Sequence, residues 1–244
     1  MNIGATGYSV GAGISKKLSN RFSVRFNAIE ATVRGSDAYT MDPFRRNRNL
    51  SFRSIIHELS GMIDFHVLTV NRFGKRPNKL LAFTGIGFFA FNPQANYKGQ
   101  WYDLQPLGTE GQGIISGKKK YNKTSWNIPF GIGYNVSISD NQELGFVLTM
   151  RKTFTDYIDD VSGKYYDNQK LTEQNGEMSG ILADRSLQRD TGIVARPGSG
   201  RGDPRNNDNF AFIQISYSIG LSFKKGQRLF HLRSNRKDKK CFRW

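Results

Sequence analysis

The sequence predicts an all-β chain: a transmembrane, antiparallel, up-and-down β-barrel with eight strands expected and seven present. Three observations lead there. Seven segments alternate apolar and polar residues with a period of two, as strands do. The connections between them alternate short and long, as in barrels whose tight turns lie on one side of a membrane and whose loops lie on the other. No uncharged stretch suits a membrane helix: the longest, 80–97, is interrupted by Gly85, Gly87, Asn92, Pro93, Gln94 and Asn96.

The first segment, 7–18, sets Tyr8, Val10, Ala12 and Ile14 against Gly7, Ser9, Gly11, Gly13 and Ser15. Ser19 and Asn20 turn the chain into 21–34, where Phe22, Val24, Phe26 and Ala28 oppose Arg21, Ser23, Arg25 and Asn27. Beyond a long connection at 35–50, segment 51–69 sets Ile55, Leu59, Ile63, Phe65 and Val67 against Ser54, Glu58, Ser60, Asp64 and His66. A short link, 70–78, leads to 79–92, which is apolar or small on both faces. The second long connection is 93–122.

Segment 123–139 is the clearest strand. Trp126, Ile128, Phe130, Ile132, Tyr134, Val136 and Ile138 share one face, and Ser125, Asn127, Pro129, Gly131, Gly133, Asn135 and Ser137 the other. After the turn 140–142, segment 143–157 sets Leu144, Phe146, Leu148, Met150 and Phe154 against Glu143, Gly145, Val147, Thr149, Arg151 and Thr153. The longest connection, 158–208, precedes 209–223. There Ala211, Ile213, Ile215, Tyr217, Ile219, Leu221 and Phe223 oppose Gln214, Ser216, Ser218, Gly220 and Ser222.

In a soluble sandwich the apolar faces would meet in a core. Here the second face is rich in Gly, Ser and Asn with isolated charges of both signs, which suits a narrow lumen, and the continuous apolar face suits lipid. Short turns are then periplasmic and long loops extracellular. The last strand ends on the periplasmic side, so the first one present begins outside. A bacterial single-chain barrel has an even strand number with both ends periplasmic. One strand and an export signal are therefore expected before Met1; residues 1–10 lack the basic start and apolar run of a signal peptide. The domain reading is a barrel over 1–223, incomplete at its N-terminus, and a basic periplasmic tail over 224–244.

Eight strands leave room only for side chains inside. Arg25, Glu58, Asp64, Glu143 and Arg151 are therefore expected to form a salt-bridge network that fills the lumen; an ion path is the alternative. Gly11, Gly13, Gly131 and Gly133 lie within strands, where they make room in that lumen rather than cradle phosphate. Asp159-Asp160 reads as a solvated loop start whose carboxylates cap turns, or as an acid–base or metal pair. Arg201-Gly202-Asp203 reads as a turn in a Gly-rich loop, or as an adhesion motif. His57 falls on the lipid-facing register, His66 near the periplasmic end and His231 in the tail, so no two meet at one rim. No catalytic site, metal or cofactor is expected. A single Cys, Cys241, excludes an intramolecular disulfide and a Cys-based zinc site.

Several strings carry a resemblance: RNLSFR at 48–53, Phe91-Asn92-Pro93, WYDLQPLGTEG at 101–111, IPFG at 128–131, RKTFTDYIDDVSG at 151–163, LADRS at 182–186 and Arg201-Gly202-Asp203. Together, over about residues 7–223, they resemble a family of outer-membrane β-barrel proteins of the Bacteroidota, to which the PorG component of the type IX secretion system is similar. The resemblance implies an eight-stranded barrel exported through the periplasm. It also implies a non-enzymatic membrane anchor or assembly component of a secretion apparatus. The alternative is a stand-alone structural or surface-adhesion barrel acting through its long loops.

The charge points to a side. Lys and Arg number 36 against 20 Asp and Glu, a net charge of +16. The tail holds nine basic residues against one acid, including Lys224, Lys225, Arg228, Arg233, Arg236, Lys237, Lys239 and Lys240. Arg72, Lys75 and Arg76 occupy a short turn on the same side, whereas 158–208 is slightly acidic. This basic surface is expected to meet anionic outer-membrane lipid or an acidic periplasmic protein of a secretion complex. No nucleic acid and no small-molecule substrate are expected.

Overall fold

The computed structural model describes residues 7–70, 77–187 and 195–221. Its strands are β1 (Ser9–Lys17), β2 (Phe22–Ser36), β3 (Ser51–Val70), β4 (Asn78–Tyr97), β5 (Gln100–Asp103), β6 (Thr124–Ser139), β7 (Gln142–Thr153) and β8 (Asn209–Ile219). Seven form one antiparallel meander in the order β1-β2-β3-β4-β6-β7-β8, and β5 folds back on the end of β4. All seven expected strands are present at nearly the expected bounds. The last one stops at Ile219 rather than 223, and 222–223 lie outside the described residues. No helix among the described residues is long and apolar enough to cross a membrane.

The sheet curls on itself. Glu58 on β3 meets Arg151 on β7. The Phe89 ring on β4 lies 6.0 Å from that of Phe210 on β8, edge to face. Gln214 of β8 donates to the Ser9 hydroxyl of β1 at 3.4 Å. Among the described residues β1 and β8 do not pair, so the curled sheet stays open along that seam.

Hydropathy inverts along the strands at one level. On β2, Phe22, Val24, Phe26 and Ala28 point out and Ser23, Arg25 and Asn27 point in. One step further, Glu30 and Arg34 point out and Ile29, Ala31 and Val33 point in. On β3 the outward residues Phe65, Ile63 and Leu59 give way to His57 and Arg53, while inward Glu58 gives way to Ile56. On β4 outward Ile86 and Phe88 give way to Asn92 and Gln94, while Phe89 and Phe91 turn in. The register aligns these switches: Ala28 pairs with Leu59, Leu59 with Phe88, and Phe88 with Trp126. The amide of Phe154 donates to the Trp126 carbonyl, extending the level to the end of β7. Below it the sheet is apolar outside and carries its inward charges and polar groups around a small cluster of Met62, Leu81 and Phe83; above it the pattern is that of a water-soluble sheet.

The interior above the level corrects the expectation of a small, polar lumen. Ile29, Ala31, Ile56, Phe89 and Phe91 form an apolar cluster there, joined by Phe210 and Phe212 of β8. Segment 79–92 is apolar on both faces because its inward aromatics fill this plug. Below, small residues do make room, as expected. A Cβ on Gly131 would stand 2.8 Å from the Phe83 ring, and one on Gly133 3.0 Å from Leu81.

The three long connections all leave this upper end. They carry short helices that no periodicity announced: α1 (Pro43–Arg48), α2 (Leu104–Leu107), α3 (Asn168–Asn175) and α4 (Glu177–Ala183).

Candidate functional site

Two polar assemblies stand out, one inside the curled sheet and one in the loops. Inside, the five expected residues form separate pairs rather than one network. Glu58 and Arg151 are almost fully buried and joined by two hydrogen bonds, 3.2 Å from Nε and 3.1 Å from Nη2, and Asn127 adds a third donor to the carboxylate at 2.9 Å. The Arg151 guanidinium lies 4.6 Å from the Phe212 ring centroid, a cation–π contact with the apolar cluster. Nearer the short turns, Arg25 pairs with Asp64 at 2.8 Å and sits over Phe83. Glu143 pairs with Lys79, a partner the alternation did not single out. Ser23 bridges Asp64 and His66. Charge pairs, Phe83 and the aromatic cluster occupy successive levels of the lumen.

The loop assembly is a folded cap. At its centre Arg201 is 2% exposed and faces two carboxylates, Glu110 Oε1 at 3.2 Å and Asp160 Oδ2 at 3.7 Å; its Nη1 also donates to the Asp160 carbonyl. Glu110 accepts from the Ser162 and Gly163 amides at 2.9–3.0 Å. Asp160 accepts from the hydroxyls of Thr109 and Tyr121. Asp160 has φ 64°, a left-handed conformation that Asp tolerates better than most residues. Tyr121 stacks on Tyr157 at 4.3 Å. The Arg201 carbonyl in turn accepts from Arg48, whose guanidinium is gripped by Asp37 through two bonds of 2.7 Å. One chain of ion pairs and a hydrogen bond to the Arg201 carbonyl thus joins the first, second and third long connections.

Burial governs the ionisation here. It pushes Asp160 up to about 6 despite Arg201, and Asp156 and Asp208 up to about 6 as well. Asp159 is raised well above the carboxylate range for the same reason. Burial and the neighbouring Asp160 raise the Tyr121 phenol, which remains a donor.

Two sequence expectations are therefore corrected. Asp160 is no solvated loop residue: its side chain is buried in the cap, because Thr109, Tyr121 and Arg201 converge on it. Asp159 does cap a turn, as expected, accepting from the Val161 amide at 2.9 Å. No group of three metal-binding side chains gathers there among the described residues. Arg201-Gly202-Asp203 is neither a plain exposed turn nor a presented motif. Arg201 is buried in its ion pairs, and Asp203 is bound locally by Arg205 and Asn206. His57 stands on the outward register as expected, but above the apolar band, beside Glu30 at 3.5 Å. Arg72, Lys75, Arg76, His231 and the basic residues Lys224, Lys225, Arg228, Arg233, Arg236, Lys237, Lys239 and Lys240 lie outside the described residues.

Fold and cap together define a class: a curled antiparallel meander, polar within and apolar without over part of its height, carrying a folded loop cap at one end. Residues 3–179 match the family described as "Domain of unknown function (DUF6089)". That span is well over half of the chain, and the chain belongs to this family. No curated protein and no solved structure matches it.

Proposed function

We propose that this chain is a non-enzymatic integral outer-membrane β-barrel protein, serving as a membrane anchor or assembly component of a type IX-like secretion apparatus. The observation that carries the membrane reading is the level at which hydropathy inverts on paired strands. Water on both sides would give no reason for Phe22, Phe26, Ile63, Ile128, Ile132, Leu148, Ile213 and Ile215 to be exposed while Glu58 and Arg151 are buried. Lipid around the lower part supplies that reason. From Trp126 to Ile138 the strand runs about 40 Å, which at the usual tilt of about 40° is about 30 Å of height, close to the ~25 Å apolar band of such barrels. Phe88 and Trp126, 5.0 Å apart, sit where an interfacial aromatic girdle belongs.

In this reading the basic tail faces the periplasm and an acidic partner. The secretion role rests on the resemblance of the loop strings. A surface-binding role through the loops is the second reading, favoured by the cap: the pairs Arg48–Asp37 and Arg201 with Glu110 and Asp160 order it, as a scaffold for recognition would require.

The test is fluorescence of the refolded protein in vesicles, with Trp101 and Trp244 replaced by Phe so that Trp126 reports alone. Lipids brominated near the headgroup are expected to quench it more than lipids brominated near the chain ends. Equal, negligible quenching by both would refute membrane insertion.

A further inference from the structure

Where the three long connections meet, a cleft opens between the start of β3, α2 and α4. Three arginines line it: Arg48, Arg185 and Arg201. Two are neutralised, Arg48 by Asp37 and Arg201 by Glu110 and Asp160. Arg185 is not. Its side chain is half-buried and makes one hydrogen bond, from Nη1 to the Ser51 hydroxyl at 3.0 Å, with no carboxylate partner among the described residues. Burial lowers its pKa with no opposing charge to offset it. None of its remaining N–H groups is sealed from solvent without a partner, so part of the fork is open to a ligand.

Its position is held from three sides. The Arg185 carbonyl accepts from Asn49 at 3.1 Å, the Leu187 amide donates to the Asn47 carbonyl, and α4 packs Leu182 against Ala95 and Leu104. Leu50, Leu104, Val161 and Leu182 give the cleft apolar walls. A half-buried guanidinium left unpaired costs stability, and a planar bidentate carboxylate is the partner its geometry fits best.

We propose that this cleft binds a small organic monocarboxylate, its carboxylate held by Arg185 and Ser51 and its short apolar chain against Leu104 and Leu182. A single uncompensated positive charge matches a monoanion. Asp37 and Asp159, also on the lining, disfavour a phosphate dianion. The site is built from the cap and the strand ends next to it, above the exposed apolar band, so it stands whether or not the sheet lies in a membrane.

The test uses the full chain refolded in detergent and carboxyl-labelled ¹³C-butyrate as probe, with line broadening read against concentration up to about 50 mM. Saturable broadening is expected, competed by unlabelled butyrate but not by butanol. Arg185→Gln is expected to weaken it at least about tenfold, the loss of a charge-assisted bidentate contact. Arg185→Lys keeps the charge and covers a misfolded Gln variant; it is expected to bind more weakly than wild type. No saturable broadening with the wild type, equal binding by both variants, or displacement by inorganic phosphate below the butyrate concentration would each overturn the assignment.

Discussion

Replacing Arg201 with Met tests whether the cap is one cooperative unit. Arg201 is the cation between Glu110 and Asp160, both with fully buried side chains. Removing one member of a buried ion pair typically costs about 3–5 kcal/mol, because the partner charge stays behind without water. Asp160 loses its cation and Glu110 keeps only Lys118, 3.8 Å away, while Asp160 escapes part of the penalty by taking up a proton. The lower figure is therefore expected near pH 5 and the higher at pH 8. An opening cost lowered by about 3–5 kcal/mol raises the open population by about 10² to several times 10³. The Ser162 and Gly163 amides, which donate to Glu110, report this directly by hydrogen exchange. Strands β3 and β4 are expected to keep their protection. The triple variant Glu110→Gln, Asp160→Asn, Arg201→Met removes the charges together and is expected to recover most of the loss. A change below about tenfold at those amides, or equal loss in the strands, would refute the reasoning.

The wild-type cap should itself respond to pH. Asp156, Asp160 and Asp208 are held near 6, above their usual value of 3.8, so between about pH 4 and 6 the closed cap holds protons the open chain has shed. Protection, corrected for intrinsic exchange, is expected to fall as pH rises through that window and to level off above it; the opposite slope would contradict the burial described. In the lumen, Glu58→Gln alone leaves Arg151 buried and uncompensated, with an expected loss of about 3–5 kcal/mol in urea unfolding. Glu58→Gln with Arg151→Met should lose much less. Ile132→Lys on the mid-level outward face is expected to cost about 2–4 kcal/mol in vesicles, and Gln94→Lys above the aromatic level about 0–1; equal costs would argue against lipid at Ile132. Planar bilayers holding the protein are expected to show no sustained conductance, because Phe89, Phe210 and the Glu58–Arg151 pair fill the lumen; stable open channels would contradict that packing.

The strands were legible because period-two alternation is local: each pair such as Trp126 and Asn127 states its own opposition, whatever lies elsewhere. The same rule misread the upper part of β2 and β3, where Ile29 and Ile56 leave the polar face for the plug. There the inward residues become apolar and the outward ones polar, and a single residue pattern does not name its surroundings. The helices α1–α4 escaped notice because each is at most eight residues long, too short to show a periodic face. Arg201 escaped because Gly-rich flanks look like any exposed turn; its partners Glu110 and Asp160 lie 91 and 41 residues away.

By itself, then, the sequence determined the seven strands of the meander and their order, their facing over the lower sheet, the alternation of short and long connections and the inward charges there. Strand pairing obeys rules that run along the chain. Tertiary structure alone decided which charges meet. Glu143 chose Lys79, the lumen residues became separate pairs, and Arg201 left the surface to knit three loops. It also decided that Arg185 stays unpaired. Ion pairing depends on distances between segments far apart in sequence, and those distances exist only once the sheet has curled and its loops have closed over one end.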